Sequence, residues 1–150
     1  MTTYNIVLSQ FFPSWHLRKG EPTNFKELLR IVKLHTIRAN YSLWKKRFEK
    51  IARGEAILII RVWLGRPYRS KTMELARLDK DSGIGIQQLT FGKGLFGLYS
   101  MELPYVDGNL VRVEQLAQND GLDYEDWCTW FSNYDHSQPL AVIHFTHFRY

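Results

Sequence analysis

The sequence predicts an α+β fold built on a small β-barrel, in a single domain over residues 1–150. Most segments are short and rich in β-branched and aromatic residues, with turn residues between them. Only a few segments show the three- and four-residue spacing of apolar side chains that marks a helix. Many strands with a few inserted helices are typical of this class. A chain of this length buries about two-thirds of its unfolded surface.

The first 32 residues predict a strand followed by a helix. Tyr4 to Phe12 has the composition of a strand, and Pro13 stops it. After a polar loop, Asn24 is predicted to begin a helix, because Glu27 follows it at the spacing of a capping box. Apolar residues from Phe25 onwards give this helix one buried stripe.

A second helix is predicted after residue 41. Leu43, Trp44, Phe48 and Ile51 recur at helical spacing, and Gly54 lies just past the end as a stop signal. The opposite face is strongly cationic; it carries Lys45, Lys46, Arg47, Glu49, Lys50 and Arg53. This face is either an ordinary solvated helix surface or a positive rim that attracts phosphates.

Residues 56 to 106 predict four strands. They are 56–64, which is apolar enough to be buried on both faces, then 71–78, 84–91 and 98–106. Gly92 to Gly97 contains three glycines but lacks the Gly-Lys-Ser/Thr ending of a phosphate-binding loop, so we interpret it as a flexible hairpin connection. Asp107-Gly108 is a strong signal for a tight hairpin turn.

The last third predicts two short helices and a closing strand. Residues 113–119 form the first helix, which Gly121 ends, and Asp123 is predicted to cap the second. Residues 140–148 are expected to close the chain as a strand that pairs with the first strand.

Composition limits the classes of function. A net charge of +5 and a pI of about 9.4 favour a polyanionic or phosphate-bearing partner. The single cysteine, Cys128, excludes an internal disulfide and a cysteine-rich zinc site. We expect a cytoplasmic protein without a membrane segment, since neither a signal peptide nor an apolar stretch of about 18 residues is present.

The most unusual stretch is Lys33 to Tyr41, which lies between the two predicted N-terminal helices. Thr36 and Ile37 favour extended backbone there. In a regular strand Lys33 and Thr36 would point to opposite faces, so they share a site only if the chain bends between them. The simpler interpretation is a short strand with a solvated basic edge.

Lys33-x-x-Thr36-x-Arg38 resembles the signature of the ASCH family, whose small domains have the β-barrel fold of PUA domains. Leu116 to Leu122 is similar to the segment that carries the catalytic acid in the amidohydrolase branch of that family. The ending from Val142 to Tyr150 is similar to the family's closing strand. The resemblance implies one PUA-like ASCH domain that handles RNA or modified nucleosides.

Three residues are the predicted catalytic set. A hydroxyl becomes a nucleophile when a base takes its proton, and Lys33 can be that base for Thr36 if burial or the Arg38 cation makes it neutral. The resemblance implies this role for Lys33 and Thr36 on cytidine acetylated at its exocyclic amine, with Asp120 as the acid. The family has glutamate at that position, and the shorter aspartate reaches about 1.3 to 1.5 Å less far.

Five further residues are predicted to bind a nucleotide or RNA: Arg38, His35, Tyr41, Lys45 and Lys46. Arg38 either grips a phosphate or base edge or pairs with a carboxylate inside the barrel. Tyr41 and Trp44 either stack on a base or belong to the core, and we expect Trp44 in the core.

We predict no cofactor and no metal site. His144 and His147 are three apart on a predicted strand and face opposite sides, and His16, His35 and His136 lack partners at ligand spacing. No serine lies in a nucleophile elbow. Two functions remain open: an amidohydrolase for acylated cytidine, and a non-catalytic RNA-binding module, or a ribonuclease, that uses the same basic cleft. The oligomeric state is not predicted.

Overall fold

The computed structural model describes residues 1–150 and confirms the α+β class. The chain contains eight strands and four α-helices, and the five strands β3 to β7 follow one another without an α-helix between them. The strands are β1 (Thr2–Leu8), β2 (His35–Arg38), β3 (Ala56–Trp63), β4 (Thr72–Leu78), β5 (Gly85–Lys93), β6 (Tyr99–Val106), β7 (Asn109–Leu110) and β8 (Leu140–His144). The helices are α1 (Phe25–Leu28), α2 (Tyr41–Ala52), α3 (Val113–Asn119) and α4 (Tyr124–Phe131).

The strands form two separate sheets. The first has the order β1-β3-β4, with β1 parallel to β3. The second has the order β2-β8-β5-β6-β7, and all of its pairs are antiparallel. No strand pairing joins the two sheets into a closed barrel, so the PUA-like barrel stays a prediction.

The predicted amphipathic helix is confirmed as α2. Its apolar stripe buries Trp44, Phe48 and Ile51, which places Trp44 in the core as expected. Gly54 follows the helix with a φ of +77°, a left-handed conformation that glycine adopts without strain. The lysines and glutamate of the opposite face are exposed.

The N-terminal predictions need two corrections. The first strand ends at Leu8 instead of residue 12, because the following segment turns away and Phe11 pairs with Pro22. The first helix is only four residues long, and the predicted capping box is wrong. Asn24 has left-handed backbone and makes no side-chain cap, and Arg30, with a φ of +65°, turns the chain soon after the helix.

The closing strand is also shorter and differently paired than predicted. β8 ends at His144 and lies between β2 and β5, not beside β1. Every residue of β8 is buried, as expected of a central strand with neighbours on both edges. Its all-apolar run from Leu140 to Ile143 therefore predicts burial but not the identity of its partners.

The hairpin predictions are confirmed. Asp107 and Gly108 have φ angles of +48° and +83° and connect β6 to β7, as in a turn of mirror-image type. Residues 94–97 of the glycine-rich stretch belong to the connection between the paired strands β5 and β6, whereas Gly92 and Lys93 still lie in β5. Within that connection, the side chain of Phe96 is 95% exposed to solvent.

One hydrophobic core links the sheets and helices. Its members include Trp127 of α4, Ile60 of β3 and Ile143 of β8, all with no more than traces of exposure. None of the helices has the length and apolar character required to cross a bilayer.

Candidate functional site

A small cavity brings together four residues of the predicted site. Lys33, Thr36, Arg38 and Asp120 line a volume of about 30 Å³, which holds about one or two water molecules. A carbonyl group is of similar size, whereas a whole nucleoside is much larger. The remaining wall is mostly apolar: Leu8, Ser9, Phe25, Ile37, Leu122, Trp130 and Phe131.

Lys33 reaches the cavity because the chain bends just before β2. The amide groups of residues 31 to 33 all donate to the carbonyl of Leu28, which forms a tight turn. Leu34 then donates its N–H to Asn119 O at 2.7 Å and accepts from Phe145 N at 2.8 Å. These bonds tie the segment to α3 and to the end of β8. Lys33 is only 1% exposed, so the interpretation as a solvated basic edge is wrong.

Asp120 is held at the C-terminus of α3 by a Schellman motif. Leu122 N donates to Ala117 O and Gly121 N donates to Gln118 O, both at 3.0 Å. Gly121 has a φ of +78°, and a Cβ there would lie 3.1 Å from Lys33 Cβ. Glycine is therefore favoured at position 121 for two reasons: the left-handed backbone of the turn and the close approach of the Lys33 side chain.

Lys33 and Asp120 form a buried ion pair. Lys33 Nζ donates to Asp120 Oδ1 at 2.7 Å and to the Asp120 backbone carbonyl at 2.8 Å. The amine also lies 4.1 Å from the centroid of the Phe25 ring. Burial lowers the pKa of Lys33, and burial raises the pKa of Asp120. Each partner opposes the other's shift, and the Arg38 cation lowers the pKa of Lys33 further.

Thr36 lies on β2 opposite Ile143 and lines the same cavity. It is 5% exposed. Both hydrogen bonds of the lysine amine go to Asp120, so the threonine hydroxyl is not bonded to the amine in this arrangement. The cavity thus presents an amine, a hydroxyl and a carboxyl group around one small volume.

Arg38 lines the cavity without a carboxylate partner at ion-pairing distance. Its Nη2 donates to Val7 O at 3.0 Å, and no ion pair of the protein involves it. The structure therefore does not contain the predicted alternative, an ion pair between Arg38 and a buried carboxylate. Burial lowers the pKa of Arg38, while the nearby phenols of Tyr134 and Tyr68 and the Asp120 carboxyl oppose that shift.

His35 lies behind the cavity rather than in its wall. It is fully buried, so a ligand in the cavity does not reach it directly. Its Nε2 is 2.6 Å from Tyr150 Oη, which also accepts from Asn119 Nδ2 at 3.1 Å. The other imidazole nitrogen, Nδ1, has no hydrogen-bond partner and lies 3.8 Å from Asp120 Oδ1.

A second buried histidine packs against the first. The rings of His35 and His144 meet edge to face at a centroid distance of 5.6 Å. His144 Nε2 bonds to Gln87 Oε1 at 2.9 Å. Burial and the Arg149 cation lower the pKa of His144 to about 3. His147 is exposed, and no three His, Cys, Asp or Glu side chains cluster as metal ligands.

The other predicted binding residues do not reach the cavity. Tyr41 and Lys45 line a different groove of about 360 Å³ between α2 and the start of β5. Lys46 is exposed on α2. The cationic face of α2 is thus a separate surface, not a rim of the Lys33 cavity.

Several residues of the site were not predicted from the sequence. Phe25, Trp130 and Phe131 were not predicted as site residues, yet they form part of the cavity wall. Asn119 and Tyr150 complete the network behind His35. Asn119 adjoins Asp120 and could have been predicted, whereas nothing local indicates the role of Tyr150, because its hydrogen-bond partners His35 and Asn119 lie more than 30 residues away.

A scan against protein-family models finds no match, and neither do searches of curated proteins and of solved structures. The likeness to the ASCH family therefore depends on the motif residues and stays a prediction.

Proposed function

We propose that the protein is an amidohydrolase that acts on cytosine nucleosides acylated at the exocyclic amine, and that the Lys33 cavity is its active site. The observation that supports this proposal most is the buried Lys33–Asp120 pair beside Thr36 in one cavity. The motif resemblance supplies the substrate class.

The buried pair supports a neutral lysine. Burial lowers the pKa of Lys33 and raises the pKa of Asp120, so both shifts ease proton transfer along their shared 2.7 Å hydrogen bond. In the reactive state Asp120 takes the proton from the ion pair as a carboxylic acid, and the free amine is the general base. A reorientation of the amine towards Thr36 completes the base–nucleophile contact.

The reaction then proceeds in two stages, acylation of Thr36 and hydrolysis of the acyl-threonine ester. Thr36 Oγ attacks the acyl carbonyl carbon, and its proton passes to Lys33 Nζ. The C–N bond breaks, and the Lys33 ammonium protonates the departing exocyclic nitrogen, which releases cytidine. Water, deprotonated by Lys33, attacks the acyl-threonine ester and releases the carboxylic acid, and Thr36 recovers its proton.

The size of the cavity indicates which part of the substrate enters it. Only the acyl carbonyl fits a volume of about 30 Å³, so the base and sugar remain outside. Arg38 has free donors on the cavity wall and is placed to stabilise the negative oxygen of the tetrahedral intermediate.

The aspartate that replaces the family's glutamate is compatible with this role. The close approach of Lys33 to the C-terminus of α3 brings the amine to 2.7 Å from the shorter side chain. The two residues thus make contact despite the missing methylene.

The test is the release of cytidine from 4-N-acetylcytidine by the purified protein. We expect turnover by the wild type, loss of at least 100-fold in Thr36→Ala, and partial recovery in Thr36→Ser, which keeps a hydroxyl. Equal rates for wild type and Thr36→Ala would contradict the proposal, as would the absence of turnover.

The second candidate is an RNA-binding module without catalysis. It is favoured by the resting arrangement, in which both lysine hydrogen bonds go to Asp120 and none to Thr36. This function predicts salt-sensitive RNA affinity with no loss of acyl groups. Cleavage of the bound RNA would instead favour the ribonuclease.

A further inference from the structure

A second, larger groove lies between the loop that follows β1 and the loop between β3 and β4. Residues 10–15, 19–20, 65–67 and 69 line it, and its volume is about 720 Å³. This is within the usual size range of ligand sites. None of the predicted site residues belongs to it.

The groove is cationic, and its charges have no partners within the protein. Lys19, Arg66 and Arg69 line it together with no acidic residue. None of the three takes part in an ion pair. In contrast, the neighbouring Arg18 is paired with Asp126 at 2.6 Å and with Glu21 at 3.2 Å. The groove therefore leaves three positive charges for an external anion.

Aromatic side chains line the same groove. Trp15 is 47% exposed and Phe11 is 42% exposed, although both are large apolar residues. Trp15 is supported from behind by Trp130, whose ring lies edge-on at a centroid distance of 6.4 Å. A supported, half-exposed indole beside unpaired cations is the combination that binds stacked bases and their phosphates.

The groove adjoins the Lys33 cavity. Ser9 lines the cavity and Gln10 lines the groove. Trp130 lines the cavity and contacts Trp15 of the groove. The groove and the cavity are therefore neighbours, joined at residues 9–10 and through the Trp15–Trp130 contact.

We propose that this groove binds a single-stranded nucleic acid, with Lys19, Arg66 and Arg69 on its phosphates and with Trp15 stacked on a base. This inference deepens the proposed function, on which it rests for the chemistry, because it makes an acylated cytidine within a strand a better substrate than the free nucleoside. A strand fits better than a protein partner because the groove combines repeated cations with flat aromatic faces.

The test is fluorescence anisotropy of an end-labelled, cytidine-rich RNA with the full chain, at several salt concentrations. Arg66→Gln/Arg69→Gln should weaken binding and reduce the slope of log affinity against log salt by about 1.4, at about 0.7 per lost phosphate contact. Trp15→Ala should weaken RNA binding by about tenfold. Its affinity for heparin, which has no bases, should not change.

The matched control is Lys26→Gln/Lys93→Gln, which removes the same charge from two exposed positions that line neither the groove nor the cavity. We expect its RNA affinity to equal that of the wild type. Equal losses in the two double variants would overturn the proposal, as would the absence of RNA binding or an equal loss of heparin binding in Trp15→Ala.

Failure of this inference is distinguishable from failure of the proposed function. Thr36→Ala should bind RNA like the wild type, because Thr36 is not in the groove. RNA binding that depends on the groove without any turnover supports the groove and contradicts the amidohydrolase. Turnover of the free nucleoside, with RNA affinity unaffected by the groove variants, overturns the groove alone.

Discussion

Lys33 is the most constrained residue of the candidate site. Its ammonium group is held by two oxygens of Asp120 and by the face of Phe25, in surroundings that exclude bulk water. A lysine is rarely buried to this extent unless it is paired. The motif spacing indicated a special residue, but its burial depends on Asp120 and Phe25, which lie on separate elements.

Removal of the lysine charge should be costly for stability. Lys33→Met leaves Asp120 buried without its partner, so we expect a loss of about 3 kcal/mol or more in the free energy of unfolding, measured with urea. Lys26→Met, at an exposed position of α1, is the matched control and should change stability by less than about 0.5 kcal/mol. The double variant Lys33→Met/Asp120→Asn should recover part of the loss. Equal stabilities of the two single variants would show that the ion pair is unimportant to the fold.

The buried His144 predicts acid sensitivity. Its pKa is about 3 in the folded protein and about 6.5 when unfolded, so the unfolded chain binds the additional proton. The stability that neutral His144 contributes is therefore complete above pH 6.5 and is lost as the pH falls towards 3, at about 1.4 kcal/mol per pH unit.

Urea unfolding at a series of pH values between 7 and 4 checks this prediction. His144→Gln should remove about one proton from the pH dependence, and His147→Gln, at an exposed position, should leave it unchanged. A wild-type pH dependence in His144→Gln would contradict the assignment.

At the scale of elements, the junction between α3 and β2 positions the site. The Asn119 carbonyl accepts from Leu34 N, and the Asp120 carbonyl accepts from Lys33 Nζ. The end of α3 is thus closed by the same segment that carries the motif. Sequence reasoning placed α3 and its end at Gly121 correctly, because both depend on local signals. It did not predict which segment would contact that end.

Gly121→Ala tests this junction. Left-handed backbone costs alanine about 1 to 2 kcal/mol, and its Cβ would additionally press on Lys33 at 3.1 Å. Gly108→Ala is the control, since Gly108 has a φ of +83° with open space around its Cα. We expect both variants to lose stability in urea unfolding and Gly121→Ala to lose more. Equal losses would mean that Lys33 adjusts without cost.

The first helix shows where local signals mislead. Asn24 and Glu27 have the spacing of a capping box, yet α1 ends after four residues. The chain turns at Arg30, and this turn directs Lys33 inwards to Asp120. Tertiary contacts of Lys33 and Leu34 therefore override the helical pattern of residues 25–32, and this could not be predicted from their sequence alone.

At the scale of the whole molecule, the sequence predicted the class of fold better than its topology. Alternation and turn residues are local, so most strand positions were predicted correctly. Strand partners are not local: β8 was expected beside β1 but lies between β2 and β5. The observed pairing of β8 matters for the site, because β8 lies beside β2 and brings His144 against His35 behind the cavity.

The arrangement of the two sheets also determines which basic surface lies next to the cavity. The loops at the ends of β1 and β3 form the cationic groove, and residues from β2 and α3 form the cavity next to it. The cationic face of α2 lies elsewhere. Charge composition alone predicted a polyanionic partner, but only the fold distinguishes which of the two basic surfaces adjoins the cavity.

The most direct test of the account is a double-mutant cycle on the hydrolysis of 4-N-acetylcytidine. kcat/KM is measured for the wild type, Thr36→Ala, Lys33→Met and the double variant. If Thr36 and Lys33 act as nucleophile and base of one site, each single variant loses most of the activity and the double variant loses little more. Losses that multiply in the double variant, or single variants as active as the wild type, would contradict the shared role of these residues.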